Sequence, residues 1–151
     1  MLKIIAIGKK HEDWVTNGID RYQKRLKAPF DVQWLLLPHS TFSGALARES
    51  ESQAIMGKLS ASDYVILLDE HGSMFDSPAL AQKLNNLFSS SYNVVLVIGG
   101  AYGVNEPLID RANLKWSLSP LVFPHQLVRL ILVEQIYRTQ EIASGGPYHH
   151  P

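Results

Sequence analysis

The sequence predicts a single α/β domain over residues 1–151, built on a mostly parallel sheet with helices on both faces. Short apolar runs bounded by Gly, Pro, Asp or Ser alternate with segments of helical length, which is typical of a parallel sheet. The chain of 151 residues is long enough for one sizeable core and too short for two ordinary domains. It contains no internal repeat, linker or low-complexity tract.

Periodicity and turn residues define the individual elements. The predicted strands are residues 4–7, 32–37, 64–68 and 94–98, with a weaker fifth strand at 115–118. The predicted helices are residues 12–26, 45–59, 77–89, 125–142 and a short one at 107–112. Ser77 followed by Pro78 predicts a helix start with Ser77 as the N-cap and the proline at the first helical position.

Composition excludes several classes of protein. Cysteine is absent, so disulfides, thiolate metal sites and cysteine nucleophiles are excluded, and a reducing cytoplasm is the expected location. The apolar stretch near the N-terminus is too short for a signal-peptide core or a membrane span, so no membrane association is expected. Lys+Arg and Asp+Glu both number 14, which argues neither for nor against nucleic-acid binding.

The last predicted helix is apolar around most of its circumference. Its apolar residues are Leu127, Val128, Leu130, Ile131, Leu132, Val133 and Ile136. A helix lying on a sheet needs only one apolar stripe, so we expect a second copy of the chain to cover the surplus face as a homodimer. The alternative is a helix buried entirely within one chain.

A glycine-rich segment follows the fourth predicted strand directly. Gly99, Gly100 and Gly103 lie where parallel sheets bind ligands, and glycines there let a ligand approach the backbone. The segment matches neither GxGxxG nor a P-loop, so a ligand with an adenosine but no phosphates suits it better than a nucleotide phosphate. The alternative is a tight turn that requires positive φ.

Two more segments are candidates for the same pocket. Residues 69–73 form a predicted loop whose carboxylates would hold ribose hydroxyls or would simply be solvated turn residues, and Leu68 before it offers an apolar wall. Residues 118–125 form an apolar loop with two prolines, which is suited to gripping a flat adenine. The alternative for this second loop is a packed connector.

The C-terminal tail provides the candidate catalytic residues. Two glycines precede Tyr148 and His149, and we expect the tail to fold over a site and contribute both side chains. Adjacent histidines without other ligands do not predict a metal site. Arg138 on the last helix is a candidate for binding a phosphate or a developing oxyanion, or alternatively a solvent-exposed ion-pair partner.

Taken together, the motifs resemble the RlmH family of ribosomal large-subunit methyltransferases, of the SPOUT class, over the whole chain. The motifs that carry the resemblance are Asp13-Trp14, Leu68-Asp69, Ile98-Gly99-Gly100 with Gly103, Trp116-Ser117-Leu118-Ser119, Phe123-Pro124-His125 with Leu127-Val128-Arg129, Glu134-Gln135-Ile136-Tyr137-Arg138 and Pro147-Tyr148-His149. The resemblance implies a homodimer that uses S-adenosylmethionine to methylate N3 of a pseudouridine in 23S rRNA of the ribosome. It also implies a trefoil knot in the C-terminal half.

The resemblance implies roles for particular residues. The implied cofactor pocket comprises Leu68, Gly100, Ser119, Pro120, Leu121, Val122, Phe123 and Pro124, beside Gly99 and Gly103 of the glycine-rich segment. Methyl transfer to an N–H group needs a base or hydrogen-bond acceptor and a cation near the ring carbonyls. We assign His149 as the base or orienting group, Tyr148 as a stacking or hydrogen-bonding contact, and Arg138 as the cation. The alternatives are a non-catalytic RNA-binding or assembly module and a nucleotide hydrolase.

Two departures from the family concern RNA binding. Residues 38–47 carry no lysine or arginine, unlike the basic loop of relatives, so phosphate contacts are expected at Lys9, Lys10, Arg21, Lys24 and Arg25. His150 stands where relatives carry an arginine, so any phosphate clamp there would be weaker and pH-dependent.

Overall fold

A computed structural model describes all residues, 1–151, as a five-stranded parallel sheet with helices on both faces. In chain order the elements are β1 (Leu2–Ile7), α1 (Asp13–Gln23), β2 (Val32–Leu37), α2 (Gly44–Met56), β3 (Asp63–Met74), α3 (Ser77–Ser89), β4 (Asn93–Ile98), α4 (Glu106–Arg111), β5 (Leu114–Ser117) and α5 (His125–Ser144). The strand order across the sheet is β2-β1-β4-β3-β5. The α/β class and all ten predicted elements are confirmed.

The two faces of the sheet have separate cores. Alternate residues of β1 and β4, such as Ile4 and Leu96, pack with α1, α3 and α5. The intervening residues, such as Ile5 and Val97, pack on the other side with α2 and α4. A strand that is buried on both faces has a nearly continuous apolar sequence. The sequence pattern therefore predicts β1 and β4 clearly.

The third strand extends beyond its predicted end. Residues 69–73 were expected to form a loop, and this prediction is wrong because β3 continues to Met74. Leu68 and Ser73 both pair with Trp116, so residues 69–72 bulge out between them. A Cβ on Gly72 would lie 2.5 Å from the Lys115 carbonyl, so glycine lets the strand return against β5.

The start of α3 also differs from the prediction. Asp76, not Ser77, is the N-cap, because its carboxylate accepts a hydrogen bond of 2.8 Å from the Ala79 N–H. Pro78 therefore occupies the second helical position. The Ser77 hydroxyl donates instead to Gln135 Oε1 at 2.7 Å, which ties α3 to α5.

Helix α5 lies on the sheet between α1 and α3. Leu132, Val133 and Ile136 are buried, and the other four apolar residues named in the prediction are partly buried. Burial within one chain, the alternative to a dimer face, thus accounts for part of the apolar circumference. None of the helices is long and apolar enough to cross a lipid bilayer.

Candidate functional site

A cavity of about 460 Å³ opens at the carboxyl ends of β3, β4 and β5. This is a suitable size for a small organic ligand. The predicted pocket residues that line it are Leu68, Gly99, Gly100, Gly103, Ser119, Leu121, Val122 and Phe123. Pro120 and Pro124 do not line it: both are exposed, and Pro124 is the N-cap residue of α5. The three segments singled out in the sequence therefore meet around one cavity.

Glycine is required at the three cavity positions for different structural reasons. Gly103 has a φ of +77° and donates to the Gly100 carbonyl at 3.1 Å, so the turn requires positive φ at this position alone. A Cβ on Gly99 would lie 2.7 Å from Val104 Cγ1, and one on Gly100 would collide with the Glu51 carboxylate. Gly99 and Gly100 are thus explained by close packing rather than by backbone conformation.

The apolar loop before α5 is held by serine hydroxyls. Ser117 Oγ donates to the Ser119 carbonyl and the Leu121 N–H donates to Ser119 Oγ, both at 3.0 Å. Leu121 and Val122 are 69% and 80% exposed although they line the cavity. The loop therefore presents apolar surface both to the cavity and to solvent.

The two carboxylates of the β3 bulge differ in their local contacts. Asp69 Oδ1 accepts from the His71 N–H at 2.9 Å, which makes an Asx turn. Glu70 Oε1 lies 3.4 Å from His71 Nε2, and both side chains are well exposed. Of the two interpretations from sequence, the turn role is visible for Asp69, while Glu70 is free to meet a ligand hydroxyl.

The predicted catalytic residues Tyr148, His149 and Arg138 come together around Glu134. Glu134 Oε1 accepts from Arg138 Nη2 at 2.6 Å, from Arg138 Nε at 3.0 Å and from the Tyr148 hydroxyl at 3.2 Å. The Arg138 guanidinium also lies 4.8 Å from the Tyr148 ring centre. Sequence reasoning missed Glu134, although its i,i+4 spacing from Arg138 is the usual signal for such a pair. We call these four residues the Glu134 cluster.

Protonation in the Glu134 cluster follows from its contacts. His149 Nδ1 lies 3.2 Å from Arg138 Nη1, and because a guanidinium only donates, Nδ1 accepts and Nε2 carries the proton. Burial, followed by contacts with Tyr22 and Glu134, raises the pKa of Tyr148 to about 12. The cluster therefore offers the His149 Nε2–H as a donor, since the Tyr148 hydroxyl already donates to Glu134.

A groove of about 610 Å³ beneath the C-terminal tail adjoins the cavity. His149 and His150 line this groove, and Trp116, Leu118 and Phe123 line both spaces. The tail thus folds back along α5 toward the shared wall. A molecule bound in the groove would have the cavity as its immediate neighbour.

Arg129 is the largest polar side chain that the fold buries, with 1% exposed. Its Nη2 donates to the carbonyls of Ile7 at 2.8 Å and Gly8 at 3.2 Å, and its Nη1 donates to that of Lys10 at 3.2 Å. These bonds fix the carboxyl end of β1 beside the cavity. Sequence reasoning assigned Arg129 no role; its position inside an apolar run was the available signal.

Two histidines flank Arg129. Burial, and then the positive charges of Arg129 and His39, lower the pKa of His125, against a smaller raising effect of Glu51. Burial, and then the charge of Arg129, lower the pKa of His11, which Asp20 partly offsets. Both imidazoles are therefore neutral at pH 7.

The expected phosphate-binding residues do not form one patch. Lys9 and Lys10 are exposed at the carboxyl end of β1, on the cavity side of the sheet. Arg21, Lys24 and Arg25 are exposed at the far end of α1, which returns the chain to the amino end of β2. His, Asp and Glu side chains are nowhere grouped in threes as a metal site would need.

Comparison with known proteins gives consistent matches over the full chain. The family described as "Predicted SPOUT methyltransferase" matches residues 1–149. A protein named Ribosomal RNA large subunit methyltransferase H from Francisella tularensis subsp. novicida is 39% identical, covering 98% of each chain. Proteins of the same name are 42% identical in Prochlorococcus marinus (97% of this chain, 94% of the relative) and 38% identical in Natranaerobius thermophilus (98% of each).

Proposed function

Because this chain belongs to the SPOUT methyltransferase family, we propose that it transfers the methyl group of S-adenosylmethionine to N3 of a pseudouridine in 23S rRNA. Its relatives are named as ribosomal RNA large-subunit methyltransferases. The observation that carries the proposal is the cavity at the carboxyl ends of β3, β4 and β5, where two close-packed glycines face the apolar loop of residues 118–124.

The cavity fits the proposed cofactor chemically. Its lining is mostly apolar, as a flat adenine requires, and backbone groups of residues 99–103 supply the polar contacts. Residues 99–103 include no lysine that could bind phosphates, which suits a nucleoside that carries no phosphate. When bound, S-adenosylmethionine supplies an electrophilic methyl group on a positively charged sulfur.

The groove beneath the tail is the proposed site of the target base. His149 Nε2–H would donate to a ring carbonyl, and the Glu134 cluster would hold that imidazole in one orientation. This arrangement favours the orienting role of His149 over that of a base, since Nδ1 already accepts from Arg138. Arg138 is partly neutralised by Glu134 and would act mainly by fixing His149. The Tyr148 hydroxyl already donates to Glu134, so Tyr148 would contact the substrate by stacking or as a hydrogen-bond acceptor.

We also propose a homodimer, a knotted C-terminal half and a cytoplasmic location. The exposed Leu121 and Val122 at the mouth of the cavity support the dimer, since a second copy would cover them. The path of the chain supports the knot: after β5 at the sheet edge, residues 118–124 cross the ends of β3 and β4 so that Arg129 reaches β1. A ribosomal substrate supports the cytoplasmic location.

Transfer of tritium from labelled S-adenosylmethionine tests the function directly. We expect label in 23S rRNA when intact ribosomes are the substrate, with the modified nucleotide identified as an N3-methylated pseudouridine by mass spectrometry. Free rRNA serves as the comparison. Label in neither substrate would overturn the assignment and favour the non-catalytic RNA-binding module.

Single-turnover rates test the role of the tail. We expect His149→Ala to lower the rate by about a hundredfold to a thousandfold, as loss of an orienting donor does. Tyr92→Ala, which removes an exposed ring before the amino end of β4 and outside the groove and the cavity, is the control and should keep most of the rate. Full activity of His149→Ala would exclude both the orienting and the basic role.

A further inference from the structure

Glu51 on α2 is the one acidic side chain that the fold buries, with 5% exposed. Its Oε2 accepts a hydrogen bond of 2.9 Å from the Ser40 N–H and lies 4.0 Å from His39 Nδ1. Its Oε1 is buried and has no hydrogen-bond partner. A buried carboxylate oxygen without a donor is costly, so a reason for retaining it is expected.

The unpartnered oxygen lies directly behind the cavity. Gly100 lines the cavity, and a Cβ built on Gly100 would collide with Glu51 Oε1 and lie 3.2 Å from Glu51 Cδ. Gly100 has no side chain, so only one residue's backbone separates the carboxylate from the ligand space. Gly100 therefore places no side chain between the Glu51 carboxylate and the cavity.

The cations near Glu51 leave its charge only partly compensated. His39 is two-thirds exposed and lies 4.0 Å from Oε2 rather than Oε1. Arg129 and His125 face the same region from α5, but Arg129 donates to backbone carbonyls and makes no bond to Glu51. Burial also lowers the pKa of His125, which keeps that imidazole neutral at pH 7.

We propose that Glu51 is a specificity-determining residue that favors a positively charged cofactor over its neutral product. This inference rests on the proposed function, in which the cavity binds S-adenosylmethionine. The cofactor carries a sulfonium charge, whereas S-adenosylhomocysteine, left after transfer, is a neutral thioether at the same position. A buried anion behind Gly100 attracts the first through a medium of low dielectric and has no such effect on the second. Glu51 thereby promotes exchange of spent product for fresh cofactor.

Calorimetric titration of Glu51→Gln with both ligands tests this proposal. The variant keeps the shape and removes the charge, so we expect affinity for S-adenosylmethionine to fall about three- to tenfold and affinity for S-adenosylhomocysteine to stay within about twofold. Glu49→Gln is the matched control, because it removes the same charge from an exposed position on the same helix. Glu51→Asp should retain a preference close to that of the wild type.

The results of these titrations distinguish the role of Glu51 from the assignment of the cofactor. An equal loss for both ligands, or no loss for either, overturns the role of Glu51 while the cofactor assignment stands. Wild-type protein that binds neither ligand overturns the proposed function and this inference together. If Glu51→Gln does not melt cooperatively, the wild type is titrated with a protonated amine analogue of the cofactor. Binding no tighter than that of S-adenosylhomocysteine then overturns the proposal.

Discussion

Gly100 shows how one residue serves both the fold and the site. Its missing side chain admits the Glu51 carboxylate, and the residue itself lines the cavity. The sequence located this glycine because it follows an apolar strand directly. It did not reveal the reason, since Glu51 is distant in sequence and no local pattern links the two residues.

A methyl group at this position should therefore impair ligand binding. We expect Gly100→Ala to lower cofactor affinity by at least about tenfold and the free energy of unfolding by about 1–3 kcal/mol, as overpacking does. Gly57→Ala is the matched control, because a Cβ there would meet only ordinary contacts at 3.6 Å. Calorimetry and urea denaturation measure both effects, and wild-type affinity in Gly100→Ala would contradict the described packing.

Arg129 stabilises the carboxyl end of β1 through backbone carbonyls. Replacement by methionine fills a similar volume and leaves the carbonyls of Ile7, Gly8 and Lys10 without this donor. We expect Arg129→Met to lower the free energy of unfolding by about 2–4 kcal/mol, measured by urea denaturation. Arg48→Met, at an exposed helical position, should change it by less than about 0.5 kcal/mol. Equal stability of the two variants would show that Arg129 is not structural.

At the scale of elements, prediction succeeded where burial imposes a clear pattern. Strands β1 and β4 are apolar apart from Lys3 and Asn93 and were found to within two residues. The extension of β3 was missed because residues 69–73 are turn formers, and only pairing of Ser73 with Trp116 makes them strand. The cap of α3 was misplaced by one residue because Asp76 and Ser77 are both good N-caps, and hydrogen-bond geometry decides between them.

The dimer was predicted from the apolar faces of α5, and the exposed loop before α5 supports it. Wild-type protein should sediment at about 34 kDa, twice the chain mass of 16.9 kDa. We expect Val122→Asp to shift it toward monomer, because a charge placed in an apolar interface is costly to desolvate. Leu46→Asp, equally apolar and 66% exposed on α2, should remain dimeric. Wild-type monomers at micromolar concentration would contradict the dimer.

At the scale of the molecule, the strand order could not be read from the sequence. Local patterns predict which faces of each strand are buried. The order β2-β1-β4-β3-β5 depends instead on pairing between strands that are distant in the sequence. The same limit applies to the site. The three cavity segments were found as separate motifs, whereas their meeting at one sheet edge, and the gathering of Tyr148, His149 and Arg138 around Glu134, follow only from the fold.

Stability should depend on pH through two partly buried histidines. The folded state lowers the pKa of His11 and His125, so the unfolded chain binds more protons as the pH falls below about 6.5. Their contribution is fully present above that pH and is lost as the pH falls through the lowered values. We expect Tm to drop between pH 7 and pH 5, and to drop less in a His11→Asn, His125→Asn double variant. Identical slopes would contradict the burial of these imidazoles.

The central claim is that one cavity at the carboxyl ends of β3, β4 and β5 holds the methyl donor. A crystal structure of the protein grown with S-adenosylhomocysteine tests it most directly. The predicted result is a ligand whose adenine contacts the loop of residues 118–124 and whose sulfur lies near Gly100. Ligand density anywhere else, with this cavity filled only by water, would contradict the account.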